Sequence, residues 1–366
     1  MNTKKHSISM LCFLISILVS LVLHAHYAKH KTLFTNILNS MRAIIQQFGP
    51  ALESVQLEPY SPSEPLINEL QVEMKFSTIN PSDLITISGA YRSRITLPFV
   101  PGFEGIGKVK KCSNSTSTFS IGDRVLPIGT AGAWQKYRNA KENWCFTIPE
   151  NLSDEQAATS YINPMTAWLM LTEALNIHSD MSIIVNAANS AIGLMLIRML
   201  NHLGITPIAL VRRDNTIEEF ENCRVHTIIN TSNNADYQQL LDITKNNRID
   251  AVLDCIGGDD ALLYTHIVKE HAQFINYGLL SKQPIPADFW IQRPDIQFSY
   301  FHLRQWIHSA EKPLIQNKLN EVMNLVHQGI ADTKIDRYFS LKEIHHAIQY
   351  IEKTRTVNKG KVLINF

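Results

Sequence analysis

The feature that most constrains this chain is the stretch 182–214, SIIVNAANSAIGLMLIRMLNHLGITPIALVRRD. It opens with the apolar run Ile183, Ile184 and Val185 between turn formers, which reads as a strand buried on both faces. A turn of small residues, 186–193, follows. Ile192, Met195, Leu196, Met199, Leu200 and Leu203 then recur at spacings of three and four, the mark of an amphipathic helix. Gly204 is placed to close that helix in the left-handed region. A second apolar strand, 208–211, runs into Arg212 and Arg213. Strand, small-residue turn, helix and strand within about 30 residues form the first βαβ unit of a dinucleotide-binding fold.

The turn has to bring backbone N–H groups and a helix N-terminus close to a pyrophosphate, which excludes bulky side chains. Of the three-glycine fingerprint only Gly193 remains, with Ala187, Ala188, Ser190 and Ala191 as small substitutes. The two arginines add to this reading. A carboxylate about 20 residues past the turn binds the ribose 2′-hydroxyl of NAD, whereas arginine there accommodates the 2′-phosphate of NADP. Arg212 lies 19 positions after Gly193. Paired arginines are also an ordinary solvated strand end; their position after this turn favours NADPH as the cofactor.

The chain has 366 residues, enough for two domains with well-buried cores. A net charge of +1 with 18% charged residues provides no basic face for nucleic acid. The five cysteines, Cys12, Cys112, Cys145, Cys223 and Cys255, show neither metal nor redox-motif spacing, so reduced thiols are expected. Residues 1–40 differ from the rest. Lys4 and Lys5 precede the apolar run 10–25, and His26, Lys29, His30 and Lys31 follow it. This reads as a secretory signal with poor cleavage sites, a short membrane anchor, or an upstream start ahead of Met41. Membrane contact is expected only through this extension. An NADPH enzyme needs the cytoplasmic cofactor supply, so the body of the chain is expected in the cytoplasm.

From Met41 to about residue 158 the pattern is β-rich, with strands expected at 42–47, 66–77, 105–111, 124–128, 133–138 and 144–148. Ser153 and Gln156 have the spacing of a capping box. A helix at 164–175 leads into the nucleotide-binding part. Strands at 227–230, 251–255 and 274–277 alternate with helices at 236–245 and 260–270, the signature of a doubly wound parallel sheet. Pro284, Pro286 and Pro294 interrupt that pattern. A strand near 297–303, helices at 313–328 and 341–353, and a final strand at 361–366 complete the chain.

Several stretches together resemble the zinc-free branch of the medium-chain dehydrogenase/reductase superfamily, in particular the mitochondrial-type 2-enoyl thioester reductases. They are TINPSDLITISGAYRSRITLPFVPGFEGIGKV (78–109), INPMTAW (162–168), VNAANSAIG (185–193), LDCIGG (253–258), INYGLLSKQP (275–284) and LRQW (303–306). The likeness runs from Met41 to Phe366. It implies an α/β fold in which a doubly wound parallel Rossmann domain, 161–304, binds NADPH. A β-rich GroES-like catalytic domain would comprise 41–160 and be completed by 305–366. Zinc-dependent members carry a histidine before the glutamate of GFEG and a cysteine in the NPSD segment. Here Phe103, Pro81 and Ser82 stand there, so no metal is expected.

By this resemblance Tyr91 is the proton donor in reduction of an α,β-unsaturated thioester. Hydride addition at Cβ leaves an enolate, and a phenol with an ordinary pKa near ~10 is protonated at neutral pH and can quench it. Packing of Tyr91 on Pro98 or Phe99 is the competing role. Asn163 resembles the asparagine that lines the nicotinamide pocket, although a capping role beside Pro164 competes. Asn189, Ser190, Ala191 and Ile192 fall in the pyrophosphate turn. Tyr277, Gly278, Leu279, Leu280, Phe301, His302 and Leu303 follow late strands, where ligands sit in open α/β sheets. Lys361 resembles a lysine that reaches the cofactor. Two departures stand out: Ala191 replaces a common glycine, and His302 and Arg304 replace apolar or small residues. The substrate is expected to be a small molecule or an acyl group on its carrier, and the assembly a homodimer. The alternatives are a zinc-free NADPH quinone or alkenal reductase, and a membrane-tethered NADPH sensor without turnover.

Overall fold

The computed structural model describes residues 40–114, 117–213, 217–245, 248–354 and 360–366. The apolar run expected to be a signal or an anchor lies outside the described residues. Among the described residues no helix is long and apolar enough to cross a membrane.

The nucleotide-binding half is built on a six-stranded sheet. Its spatial order is Thr227–Asn230, Ile208–Val211, Ile183–Val185, Ile249–Asp254, Val268–Asn276 and Gln297–Tyr300. Every pairing in it is parallel. Ile183–Val185 is fully buried because helices cover a parallel sheet on both faces, which explains its unbroken apolar run. The helix Ala191–His202 buries Met195, Leu196, Ile197, Met199 and Leu200 against it, and Gly204 closes the helix end at φ +83°. The chain order in this sheet reverses between Ile183–Val185 and Ile249–Asp254. In open α/β sheets a ligand crevice lies at that switch point, outside the strands' carboxyl ends.

The second half carries a seven-stranded sheet. Its main path runs Ile335–Ser340, Lys361–Asn365, Glu69–Thr78, Gly105–Cys112, Arg124–Pro127 and Cys145–Thr147, and Tyr137–Lys141 also pairs with Glu69–Thr78. Met41–Ile45 pairs antiparallel with Val55–Pro59. The strand Lys361–Asn365 therefore brings the chain's end back beside its early β-rich part. Ser153 and Gln156 form the expected capping box on Asp154–Ala158.

Four expectations need correction. The strand expected at 133–138 is found at Tyr137–Lys141. Residues 260–270 are not one helix: only Asp260–Tyr264 is helical, and Val268–Asn276 pairs in parallel with Ile249–Asp254. Lys269 to His271 are exposed where that strand's register shifts between Val268 and Gln273, so this stretch lacks the apolar signal of a parallel strand. The strand expected at 297–303 ends at Tyr300, and Leu303–Ser309 is helical. The helix expected at 164–175 begins earlier, as Ile162–Leu169, and widens into a π turn over Met170–Ala174.

Trp134 anchors the β-rich half. It is fully buried, its Nε1 donates to the Thr78 carbonyl at 2.9 Å, and a Cβ on Gly102 would sit 2.4 Å from its ring. Trp134→Phe leaves that carbonyl without its partner and opens a gap. A loss of about 1–3 kcal/mol in urea-unfolding free energy is expected; an unchanged midpoint would remove Trp134 as an anchor.

Candidate active site

At the switch point one side chain gathers the loops. Asp254 is fully buried at the end of its strand. Its Oδ1 accepts from Asn186 Nδ2, and from the Ile256 N–H at 3.0 Å. Its Oδ2 accepts from Asn276 Nδ2 at 2.6 Å, and the Gly257 N–H lies 3.2 Å from both oxygens. Asn186 returns the favour by accepting the Cys255 N–H at 2.9 Å and donating to Tyr264 Oη at 3.0 Å. The ends of three neighbouring strands are thus fixed together beneath the crevice.

The small-residue turn is folded for close approach. Ala187 takes φ +42°, and a Cβ on Gly193 would fall 2.6 Å from the carbonyls of both Ala187 and Ala188. Ser190 caps the helix, accepting the Gly193 N–H at 3.1 Å, while Ala191 and Ile192 begin it. The first-turn N–H groups of this 12-residue helix are a kind of site that suits a phosphate. Asn189 lies in the same turn, half-buried. Arg212 and Arg213 are exposed at the end of Ile208–Val211. On the other side of the crevice, a Cβ on Gly278 would meet the Cys255 carbonyl at 2.7 Å. Tyr277 Oη is buried with no hydrogen-bond partner among the described residues. Burial, followed by the neighbouring Cys255, pushes this phenol well above its ordinary range. Leu279 and Leu280 are exposed beyond it. These features, a glycine cradle, a capped helix start and an orphaned hydroxyl, fit a dinucleotide.

Glu104, which follows Phe103, joins the two halves. Fully buried, it accepts the N–H groups of Tyr161 at 2.9 Å and Ile162 at 2.8 Å on Oε1. Its Oε2 accepts from Thr78 Oγ1 at 2.9 Å and Asn80 Nδ2 at 3.0 Å. Glu104 therefore caps the hinge helix Ile162–Leu169, and the capping role weighed for Asn163 is filled by a residue from the other half. The Asn163 side chain makes no hydrogen bond to another described residue and is half-buried. Lys361 is drawn into the same cluster: buried, it donates from Nζ to Asn80 Oδ1. Burial holds its ammonium below the ordinary lysine value, opposed by Glu104 and Asp83.

Asp83 completes the cluster, accepting the Asn80 N–H at 2.7 Å and the Phe103 N–H at 3.0 Å. It lies in the helix Pro81–Ile87, which leads to Tyr91. The Phe99 ring pairs with Phe48, centroids 6.3 Å apart. The Tyr91 ring stands edge-on to His302, ring centroids 6.2 Å apart, with the Arg94 guanidinium 5.3 Å from its centre. Its hydroxyl makes no hydrogen bond to another described residue. Phe301 N–H donates to the Asn276 carbonyl at 2.9 Å, and Leu303 is buried beneath. Partial burial, then Arg94 and Arg304, holds the His302 imidazole below its ordinary value. Tyr91 from the β-rich half and His302 from the end of the nucleotide sheet thus meet across one cleft.

Sequence reasoning missed Glu104, Asp254, Asn186 and Asn276 as organisers. Asp254 carried a signal, a carboxylate ending an otherwise apolar strand. Among the described residues there is no group of three His, Cys, Asp or Glu side chains placed to hold a metal.

Two outcomes follow from this geometry. Gly193→Ala forces the turn's backbone to shift; if this helix N-terminus takes the phosphates of a nicotinamide cofactor, binding of that cofactor should weaken at least about tenfold by fluorescence titration, and unchanged binding would place the phosphates elsewhere. Asp83 is raised from 3.8 to about 7 by burial, against its two N–H donors. The native state then holds this proton where the unfolded chain has lost it, so the contribution to stability is full below about pH 4 and is lost as pH rises through about 7. Asp83→Asn removes that titration; its stability should be lower overall, with a flatter fall between pH 4 and 7 than the parent chain in urea titrations. An identical slope would place the titration elsewhere.

The comparisons with known proteins agree with this geometry. The alcohol dehydrogenase GroES-like domain matches residues 67–150, and the zinc-binding dehydrogenase family matches 225–364. A mitochondrial enoyl-[acyl-carrier-protein] reductase of Caenorhabditis elegans is 32% identical over 253 residues, covering 67% of this chain and 72% of the relative. One from Xenopus tropicalis is 28% identical over 332 residues, covering 88% and 94%. Among solved structures, a putative NADPH:quinone reductase from Bacillus thuringiensis is 32% identical with a TM-score of 0.83, covering 89% of this chain and 99% of that one. Escherichia coli quinone oxidoreductase complexed with NADPH shares the fold at 23% identity and a TM-score of 0.80, covering 89% and 100%. With a GroES-like half, a Rossmann half and a shared crevice at the switch point, the chain belongs to the medium-chain dehydrogenase/reductase superfamily of oxidoreductases.

Proposed function

We propose that this protein reduces the C2=C3 double bond of 2-enoyl thioesters with NADPH, Tyr91 donating the proton. The observation that carries the reading is the meeting of Tyr91 with His302 across the cleft, with the Tyr91 hydroxyl unclaimed by any described residue. A phenol at that place can give its proton to the enolate carbon as the thioester forms. The relatives named enoyl-[acyl-carrier-protein] reductases support it.

The residues that would hold NADPH are those of the crevice. The turn 189–192 would take the pyrophosphate on its N–H groups, and Arg212 and Arg213 the 2′-phosphate. Asn163 would line the nicotinamide pocket, at the start of the helix that Glu104 caps. When bound, NADPH supplies the hydride. The chain's own part is to fix that donor relative to Tyr91, which Glu104 does by linking the helix of Asn163 to Thr78 and Asn80, next to the helix leading to Tyr91. Quinone reduction is the second reading, favoured by the relative of known structure at 32% identity. A quinone in reduction takes protons readily from water and needs no dedicated acid.

The two readings separate in one variant. Tyr91→Phe keeps the ring against His302 and removes the acidic hydrogen. It should lower kcat for crotonyl-CoA by about 10²–10⁴-fold and spare a naphthoquinone, with NADPH affinity within about a factor of two. A loss of less than about fivefold on the thioester would put quinone reduction first. Replacing Arg212 and Arg213 with alanine removes charge-assisted hydrogen bonds of ~1.5–3 kcal/mol each. KM for NADPH should rise at least about tenfold with NADH use nearly unchanged; an equal loss for both cofactors would reject the arginines as the phosphate site.

A further inference from the structure

We propose that Arg94 is a positioning residue for Tyr91, holding the phenol ring and supplying the positive charge against which the reaction's negative charge develops. This rests on the reading of Tyr91 as proton donor. The two residues belong to one turn, in which the Arg94 N–H donates to the Tyr91 carbonyl at 2.9 Å. The same turn lays the Arg94 guanidinium over the Tyr91 ring, 5.3 Å from its centre. His302 stands at the ring's edge, so the ring is bracketed from two directions.

The charge on Arg94 is not spent elsewhere. Arg42, Arg124 and Arg293 each pair with a carboxylate, at 2.6, 2.8 and 2.7 Å. Arg94 has no such partner among the described residues, and neither does Arg304, whose charge also acts on His302. The chemistry gives them a task. Hydride arrival at Cβ places negative charge on the thioester enolate. Transfer of the Tyr91 proton to carbon moves that charge to the phenol oxygen, which regains a proton from solvent before the next turnover. A guanidinium over the phenol ring stabilises negative charge as it reaches that ring. Water screens Arg94 in the open cleft, and a bound substrate displaces that water and strengthens the interaction.

The test is a cycle of variants, Arg94→Gln, Arg94→Lys, Tyr91→Phe and the double variant Arg94→Gln with Tyr91→Phe, assayed with crotonyl-CoA and a naphthoquinone. Arg94→Gln should lower kcat for the thioester about five- to twentyfold, leave KM and NADPH affinity within about twofold, and spare the quinone. Arg94→Lys keeps the charge and should recover to within about threefold of the parent. In the Tyr91→Phe background Arg94→Gln should have less than about a twofold further effect, because the two act as a unit. Additive losses, or a loss confined to KM, would overturn the proposal while leaving Tyr91 in its role. A Tyr91→Phe variant without effect on the thioester would overturn that role, and this proposal with it.

Discussion

The structure depends on one buried carboxyl group. Glu104 accepts four hydrogen bonds, two from the start of the hinge helix and two from the end of a sheet strand and the helix cap after it. Four acceptor sites are what two carboxyl oxygens can offer. An acidic side chain without partners would be costly in that interior, and a helix start without acceptors would leave N–H groups orphaned. Each need answers the other. The consequence is geometric: the half that carries Tyr91 and the half that carries the pyrophosphate turn are registered through a joint of fixed length, not through apolar contact alone.

The remaining buried polar groups follow the same logic. Asn80 donates to Glu104 while accepting from Lys361, and Asp83 takes the N–H groups that Glu104 leaves. Lys361, named from the sequence, belongs to the same network. Its strand returns the chain's end to the sheet beside Glu69–Thr78, and its ammonium is absorbed by this cluster.

What was legible in the sequence was local. The strand, turn and helix at 183–202 carry their own apolar spacing, capping serine and tight glycine, and they fold where the pattern says. The same holds for the capping box at Ser153. Illegible were features whose cause lies far along the chain. Nothing near Tyr161 announces that its N–H is capped by a residue 57 positions earlier. Ile335–Ser340 lacks a clean alternation because it is an edge strand with two exposed residues and no fully buried one. Val268–Asn276 carries exposed polar residues where its register against Ile249–Asp254 shifts, which made a helix look continuous with it. At the site, the sequence named Tyr91 and His302 separately; their contact belongs to the fold.

Asp254 has a consequence for how this crevice can evolve. It serves Asn186, Asn276 and two backbone N–H groups at once, so no single replacement of similar size satisfies all of its donors. A variant arising here must be rescued by simultaneous changes on neighbouring strands. The loops above, by contrast, end in exposed side chains such as Leu279 and Leu280. Lineages can therefore diversify what the cleft admits while its floor stays frozen, an evolutionary ratchet set by the lone pairs of one residue.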